Sequence, residues 1–230
     1  MHTVNKSLII PCKDEGQNFI GILKRFEENI KLDTEILIVL DSTEDLTYEL
    51  IKKAETNAKI LINPKKGVAS AVNHGVNQSK ADFICVAMGD GSDDPTQVEE
   101  LFMLVERGLS VAVASRYSRG GQFIGEKNIK YLLSKYSGKI LNMIFSINTK
   151  DPTNMFKAYD KTFIKEVGIE SDNGFTLGLE MIVKAKLRKK KIGEIPTIWI
   201  DRNFGESKFD FNKFLPSYVY WVGRLILRRK

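Results

Sequence analysis

The chain has 230 residues, 43% hydrophobic and 28% charged, which excludes an extended disordered chain and allows one larger buried core or two small ones. Its 35 basic against 29 acidic residues give a formal charge of +6 and a pI near 9.1, a modest excess that favours anionic partners. With two histidines and two cysteines in all, a histidine triad, a zinc site or a disulfide framework has nothing to stand on. Cys12 and Cys85 each fall at or in an apolar strand, the pattern of reduced core thiols in a cytosolic protein. No leader-like stretch precedes the first strand, and no apolar run reaches the roughly 18 to 20 residues that span a bilayer, so any action at a membrane is expected from its surface.

In chain order, Ser7-Leu8-Ile9-Ile10-Pro11 reads as a short apolar strand, followed by Phe19, Ile22, Leu23 and Phe26 at helical spacing. Residues 35–40 form a second strand ending in Asp41-Ser42-Thr43, and Leu46, Leu50, Ile51 and Ala54 mark the next helix. A third strand over 59–62 leads through Asn63-Pro64-Lys65-Lys66-Gly67 into a helix carrying Val68, Ala71, Val72 and Val76. The fourth strand covers 83–88, its helix carries Val98, Leu101, Phe102 and Val105, and a fifth strand covers 111–115. This alternation predicts an α/β fold with a doubly wound, mostly parallel sheet flanked by helices. Beyond Ser115, Arg116-Tyr117-Ser118-Arg119-Gly120-Gly121 is a basic loop expected to move, followed by a long helix from about 128 to 145. A turn into an extended piece at 151–159, a helix over 178–189 with a solvated basic end from Lys184 to Lys191, and one alternating strand over 192–200 complete this half. The pattern divides into a main domain over 1–209 and an aromatic, amphipathic, basic segment over 210–230, whose Phe214, Tyr218, Trp221, Leu225 and Ile226 can share one helix face and are expected to seat on an anionic bilayer, with packing on the main domain or on a second subunit as the rival.

Three strand ends carry acids: Asp14 and Glu15 after the first, Asp41 after the second, and Asp90, Asp93 and Asp94 after the fourth. In a parallel sheet those ends converge on one edge, where open α/β sheets bind ligands. A carboxylate there can bond a ribose or base, and a hard cation such as Mg²⁺ or Mn²⁺ can join carboxylates to a diphosphate. A solvated turn, with Asp94 capping the helix that begins at Pro95, accounts for the last acids equally well. No Gly-x-Gly-x-x-Gly follows the first strand and no Walker A pattern occurs, which disfavours a dinucleotide oxidoreductase or a P-loop enzyme. Near the far end Arg202 and Lys208 flank Gly205, a turn that can fold over an anion.

Taken together, these residues resemble family 2 glycosyltransferases of the dolichyl-phosphate or polyprenyl-phosphate sugar synthase type. Pro11-Cys12-Lys13-Asp14-Glu15, Asp41-Ser42, Lys66-Gly67, Ser115-Arg116-Tyr117, Asp151-Pro152-Thr153-Asn154, Glu180 and Asp201-Arg202-x-x-Gly205-x-Ser207-Lys208 follow in the family's order. The resemblance implies a GT-A fold, a nucleotide-diphosphate sugar donor, Mg²⁺ or Mn²⁺, and a lipid-phosphate acceptor, with no nucleic acid among the partners. Carried over by position, Pro11, Asp14, Glu15, Asp41, Lys66 and Gly67 would hold the nucleotide, and Asp90 the metal, completed by Ser92 and Asp93. Arg116, Lys130 and Ser134 would face the acceptor phosphate, Arg202 and Lys208 the donor diphosphate, and Glu180 stands where hydroxyl-acceptor relatives keep a base. Met88 replaces the first acid of the usual Asp-x-Asp, and Ser92 replaces a common Gln. The expected activity is sugar transfer to a polyprenyl phosphate by a cytoplasmic protein peripheral to a membrane's cytoplasmic face. Transfer to a hydroxyl acceptor and a non-catalytic docking role are the alternatives; a sugar-1-phosphate nucleotidyltransferase ranks last, since its glycine-rich, arginine-containing loop is absent.

Overall fold

The five apolar runs of the first half form β1 Lys6–Cys12, β2 Thr34–Leu40, β3 Lys59–Ile62, β4 Phe83–Val86 and β5 Val111–Ser115. Between them lie α1 Asn18–Asn29, α2 Leu46–Lys53, α3 Val68–Gln78 and α4 Val98–Glu106. The second half supplies β6 Gln122–Ile124, α5 Ile129–Phe145, β7 Lys157–Asp160, α6 Lys161–Val167, α7 Gly174–Leu187, β8 Ile192–Pro196, β9 Ile198–Ile200 and α8 Phe211–Leu227. This computed structural model describes residues 4–172, 174–201 and 211–227.

The main sheet has seven strands in the order β3-β2-β1-β4-β7-β5-β8. All are parallel except β7, which pairs antiparallel with both β4 and β5. The continuous apolar character of β1, β2 and β5 follows from burial on both faces. On one face α1 and α4 set Phe19, Leu23, Phe26, Val98, Leu101 and Phe102 against the sheet. On the other, α3, α6 and α7 contribute Ala69, Val72, Phe163, Leu177 and Ile182. Each of the larger side chains withdrawn from water here contributes about 1.5–3 kcal/mol.

The extended piece expected after Asp151 is present as β7, inserted between β4 and β5 in the main sheet. Three expectations are corrected. The single strand over 192–200 is two strands that part at Thr197, whose N–H still donates to Ser115 O of β5 while its C=O accepts from Gln122 N of β6. β9 pairs instead with β6 in a separate two-stranded sheet. The helix predicted over 178–189 is α7, which starts at Gly174 and ends at Leu187. Lys184 is not solvated: it is 4% exposed, and its ammonium donates to Val167 O and Gly168 O and pairs with Glu180 at 2.6 Å and Glu170 at 2.9 Å. The C-terminal helix α8 packs on α7 with Trp221 and Leu225 buried in the same core, while Ile226, Val219 and Tyr220 stay exposed.

Candidate functional site

Because β3, β2, β1 and β4 are neighbours in parallel register, their C-terminal ends bring Gly67, Asp41, Asp14 and Asp90 to one edge. The Asp41 carboxylate accepts from the Gly67 N–H at 3.1 and 3.2 Å and from Asn63 Nδ2 at 2.8 Å, so the Lys66-Gly67 turn is fastened to the end of β2. Lys66 itself is exposed. Pro11 lies in β1 opposite Val39, and the loop after it places Asp14 at φ 56° with Glu15 half-buried. That left-handed conformation is unfavourable for a residue with a Cβ and needs local support. Asp45 supplies it: while capping α2 through the Thr47 N–H at 2.8 Å, its second oxygen accepts from the Asp14 N–H at 2.9 Å. Thr47 Oγ1 accepts from the Gly16 N–H at 3.1 Å.

The acid turn after β4 separates three roles. Asp94 is a cap, accepting from Thr96 N at 3.1 Å and Thr96 Oγ1 at 2.8 Å. Ser92 orients Asp90, donating from its N–H at 3.1 Å and its hydroxyl at 2.6 Å to Asp90 Oδ1. Asp93 is 3% exposed; Oδ2 accepts from the Met88 N–H at 2.9 Å, and Oδ1 has no hydrogen-bond partner among the described residues. Burial, followed by the charge of Asp90, raises the Asp93 carboxyl to about 7. Among the described residues no three His, Cys, Asp or Glu form a closed metal cage. An Asp90 held in orientation beside a buried Asp93 oxygen that has no partner among the described residues fits a hard cation that takes its other ligands from substrate diphosphate and water.

Across β7, the end of β5 builds a second, cationic compartment. Asp151, fully buried, takes Arg116 in a fork, Nε to Oδ2 at 2.7 Å and Nη2 to Oδ1 at 2.8 Å, and also accepts the Arg116 backbone N–H at 2.9 Å. Burial acts against the Arg116 cation, but Asp151 outweighs it and holds the guanidinium charged. Arg116 Nη2 lies 3.4 Å from Ser134 Oγ on α5, and Ser134 Oγ is 3.2 Å from Thr153 Oγ1. A cavity of about 400 Å³ opens here, lined by Arg116, Tyr117, Phe123, Lys127, Tyr131, Lys135 and Lys139 among others. Phe123 stacks on Trp199 at 5.0 Å, and the Arg116 guanidinium lies 5.6 Å from the Trp199 ring. The loop from Arg116 to Gly121, expected to move, is cross-tied by Ser118 N to Ser115 Oγ at 3.1 Å and Gly121 N to Ser118 O at 3.0 Å. α5 crosses the 149–154 loop so closely that a Cβ at Gly138 would strike the carbonyl of Lys150 and come within 2.9 Å of Pro152 Cδ.

Glu180 lies away from both compartments in its bonding. It is 0% exposed, and its two oxygens accept from the backbone N–H groups of Glu170 at 2.7 Å and Ser171 at 2.8 Å, beside Lys184. The side chain of Lys130 and residues Arg202 and Lys208 lie outside the described residues. The chain nevertheless enters the latter segment beside the acid turn, since Ile200 N donates to Ser92 O at 3.1 Å. Asp45, Lys127, Lys135, Lys139 and Lys157 were not singled out from the sequence. Asp45 was legible as a cap two residues before Thr47, and Lys157 as a lysine in the middle of the apolar run Phe156-Lys157-Ala158-Tyr159.

The family model described as Glycosyl transferase family 2 matches residues 7–168. A dolichol-phosphate mannosyltransferase from Pyrococcus furiosus is 28% identical over 233 residues, covering 95% of this chain and 65% of the relative. An undecaprenyl-phosphate 4-deoxy-4-formamido-L-arabinose transferase from Salmonella choleraesuis is 24% identical over 221 residues, covering 91% of this chain and 64% of the relative. The chain thus spans a little under two thirds of the length of those relatives. Among solved structures, glucosyl-3-phosphoglycerate synthase from Mycobacterium tuberculosis, in complex with Mn²⁺, UDP-glucose and phosphoglyceric acid, superposes with a TM-score of 0.67 at 11% identity. That match covers 97% of this chain and 79% of the other, and it bears out the GT-A fold.

Proposed function

The chain belongs to glycosyl transferase family 2, and on that footing we propose that it transfers a sugar from a nucleotide-diphosphate sugar to a lipid-linked phosphate. One observation carries the reading: an acid-lined donor edge and a cationic cavity open from the same sheet edge, separated by the single antiparallel strand β7. Pro11, Asp14, Glu15, Asp41, Lys66 and Gly67 receive the nucleoside, and Asp90 and Asp93, with Ser92 orienting Asp90, would hold the Mg²⁺ or Mn²⁺ that binds with the donor. The bound cation would neutralise charge on the leaving diphosphate, to which Arg202 and Lys208 add donors.

Arg116, Lys130 and Ser134, with Lys127, Lys135 and Lys139 around them, position the acceptor phosphate. Its oxygen attacks the anomeric carbon as the bond from that carbon to the β-phosphate oxygen breaks, and the electron pair leaves with the nucleoside diphosphate. An acceptor already anionic needs positioning and no proton removal. The engagement of both Glu180 oxygens with backbone N–H groups supports this over a hydroxyl acceptor, which would call on a base at that position.

We place the protein against an anionic bilayer through α5, in place of the C-terminal helix α8, whose Trp221 and Leu225 are buried on the side of α7. Along this helix Leu132, Leu133, Tyr136, Ile140, Met143 and Ile144 are exposed, while Gly138 and Leu141 are buried. An apolar stripe flanked by Lys135 and Lys139 matches an interface of acyl chains under anionic headgroups, where each lysine adds about 1 kcal/mol. No helix among the described residues is long and apolar enough to cross a membrane. The test is incubation of a panel of nucleotide sugars with Mn²⁺ or Mg²⁺, with and without polyprenyl phosphate, followed by detection of glycosylated lipid. Release of nucleoside diphosphate that is indifferent to the lipid phosphate, with no sugar on the lipid, would overturn the acceptor assignment.

A further inference from the structure

Lys157 is 0% exposed in the middle of the sheet, on β7 opposite Val86 of β4 and Val113 of β5. A lysine there withdraws an ammonium from water, a cost that an apolar side chain of the same length avoids. Its Nζ donates to Pro152 O at 3.2 Å. It is not among the residues lining the cationic cavity. Pro152 follows Asp151, whose carboxylate sets the plane of the Arg116 guanidinium. The rest of that loop is tied on every side: Lys150 N to Glu194 Oε2 at 2.8 Å, Asp151 N to Thr149 Oγ1 at 3.1 Å, and Asn154 Nδ2 to Ala114 O at 2.8 Å. At α7 the loop meets Gly178, where a Cβ would come within 2.8 Å of Thr153 O, 2.9 Å of Asn154 O and 3.2 Å of Lys157 Nζ.

We infer that Lys157 is a positioning residue for Arg116, acting through its hydrogen bond to Pro152 O, which fixes the 149–154 loop from beneath with Gly178 leaving the room for it. The inference rests on the reading of the cavity as the acceptor-phosphate site. Arg116 has its fork committed to Asp151, so the donors it offers an incoming phosphate point wherever Asp151 holds them. A loop displaced by a few tenths of an ångström turns those donors away from the anion, while the donor edge, built on β1 to β4, is left as it was.

Trp199, 5.6 Å from the Arg116 guanidinium, reports on the cavity once Trp221 is replaced by phenylalanine. In that background a short prenyl monophosphate and inorganic phosphate are titrated by fluorescence, and nucleoside diphosphate with Mn²⁺ by calorimetry. Loss of the hydrogen bond to Pro152 O predicts that Lys157→Met binds the phosphates about tenfold or more weaker, with nucleoside diphosphate affinity unchanged. Lys157→Gln is one atom shorter, so its N–H falls short of Pro152 O, and it is expected to lose phosphate affinity as Lys157→Met does, again with nucleoside diphosphate affinity unchanged. Phosphate binding by Lys157→Met equal to wild type refutes the inference, and so does a fall in nucleoside diphosphate affinity as large as that in phosphate affinity, which would assign the effect to the fold as a whole. Should Lys157→Met fail to fold, Gly178→Ala presses on the same loop from α7; it is expected to weaken phosphate binding selectively, and unchanged binding refutes. A wild-type protein that binds neither phosphate removes the acceptor site itself and this inference with it, whereas strong wild-type binding unaltered by the variants removes the inference alone.

Discussion

Replacing Asp151 by alanine strips a buried guanidinium of its counter-charge. The Arg116 side chain is 12% exposed and Asp151 0%, and the fork joins them at 2.7 and 2.8 Å. Removing one partner of such a pair costs about 3–5 kcal/mol, chiefly because the other charge is left buried and unpaired. At about 2–4 °C per kcal/mol for a chain of this size, the melting temperature should fall by roughly 10 °C. The double variant Asp151→Ala, Arg116→Met removes both charges and should recover more than half of that loss. Urea unfolding followed by circular dichroism reads both effects as midpoint changes at constant slope. A cost below about 1 kcal/mol for Asp151→Ala would put the pair in the class of solvated surface bridges and refute the claim that Arg116 is held by a buried fork.

Asp90→Asn is expected to abolish the part of nucleoside diphosphate affinity that depends on Mn²⁺, with the circular dichroism spectrum unchanged; calorimetry with and without the metal checks it, and equal metal dependence would contradict the role. Burial lowers Lys157 to about 7 from 10.5, against the charges of Asp151 and Asp93 and with that of Arg116. The penalty is therefore full below about pH 7 and relieved toward pH 10, where the unfolded chain binds the extra proton. Wild type should gain stability over Lys157→Met by on the order of a few kcal/mol between those limits, and parallel curves would refute it. Ile140→Asp with Met143→Asp, both at exposed positions of α5, should weaken sedimentation with anionic vesicles without lowering the melting temperature; undiminished binding would move the membrane contact elsewhere.

The first half was legible because each strand there is an apolar run closed by a polar turn, and each following helix repeats apolar residues on one face. β7 was not. Its Lys157-Ala158-Tyr159-Asp160 has two charged members in four, and its place between β4 and β5 is set by long-range pairing that no local pattern carries. The acids at the strand ends were visible as a set, yet their division of labour needed geometry. Asp93 and Asp94 are adjacent in sequence, but Asp94 faces Thr96 as a cap while Asp93 turns inward to Met88. Lys184 was misread as a solvated helix end, although its spacing of four from Glu180 carried the signal for an ion pair. The cationic cavity was half visible: Arg116 and Ser134 came from motif order, whereas Lys127, Lys135 and Lys139 join them through the fold of α5 over the 149–154 loop.

The contact at Gly138 fixes a height. α5 rests there on the backbone of Lys150 with no side chain between, so the distance from the helix axis to the Asp151 carboxylate is set by the thickness of two main chains. If the outer side of that 17-residue helix, about 25 Å long, floats at the headgroup level, Arg116 is held at a constant elevation above the acyl region. On the reading proposed above, a single added methyl at Gly138 would lift Arg116 relative to the bilayer plane, away from a phosphate held in the leaflet.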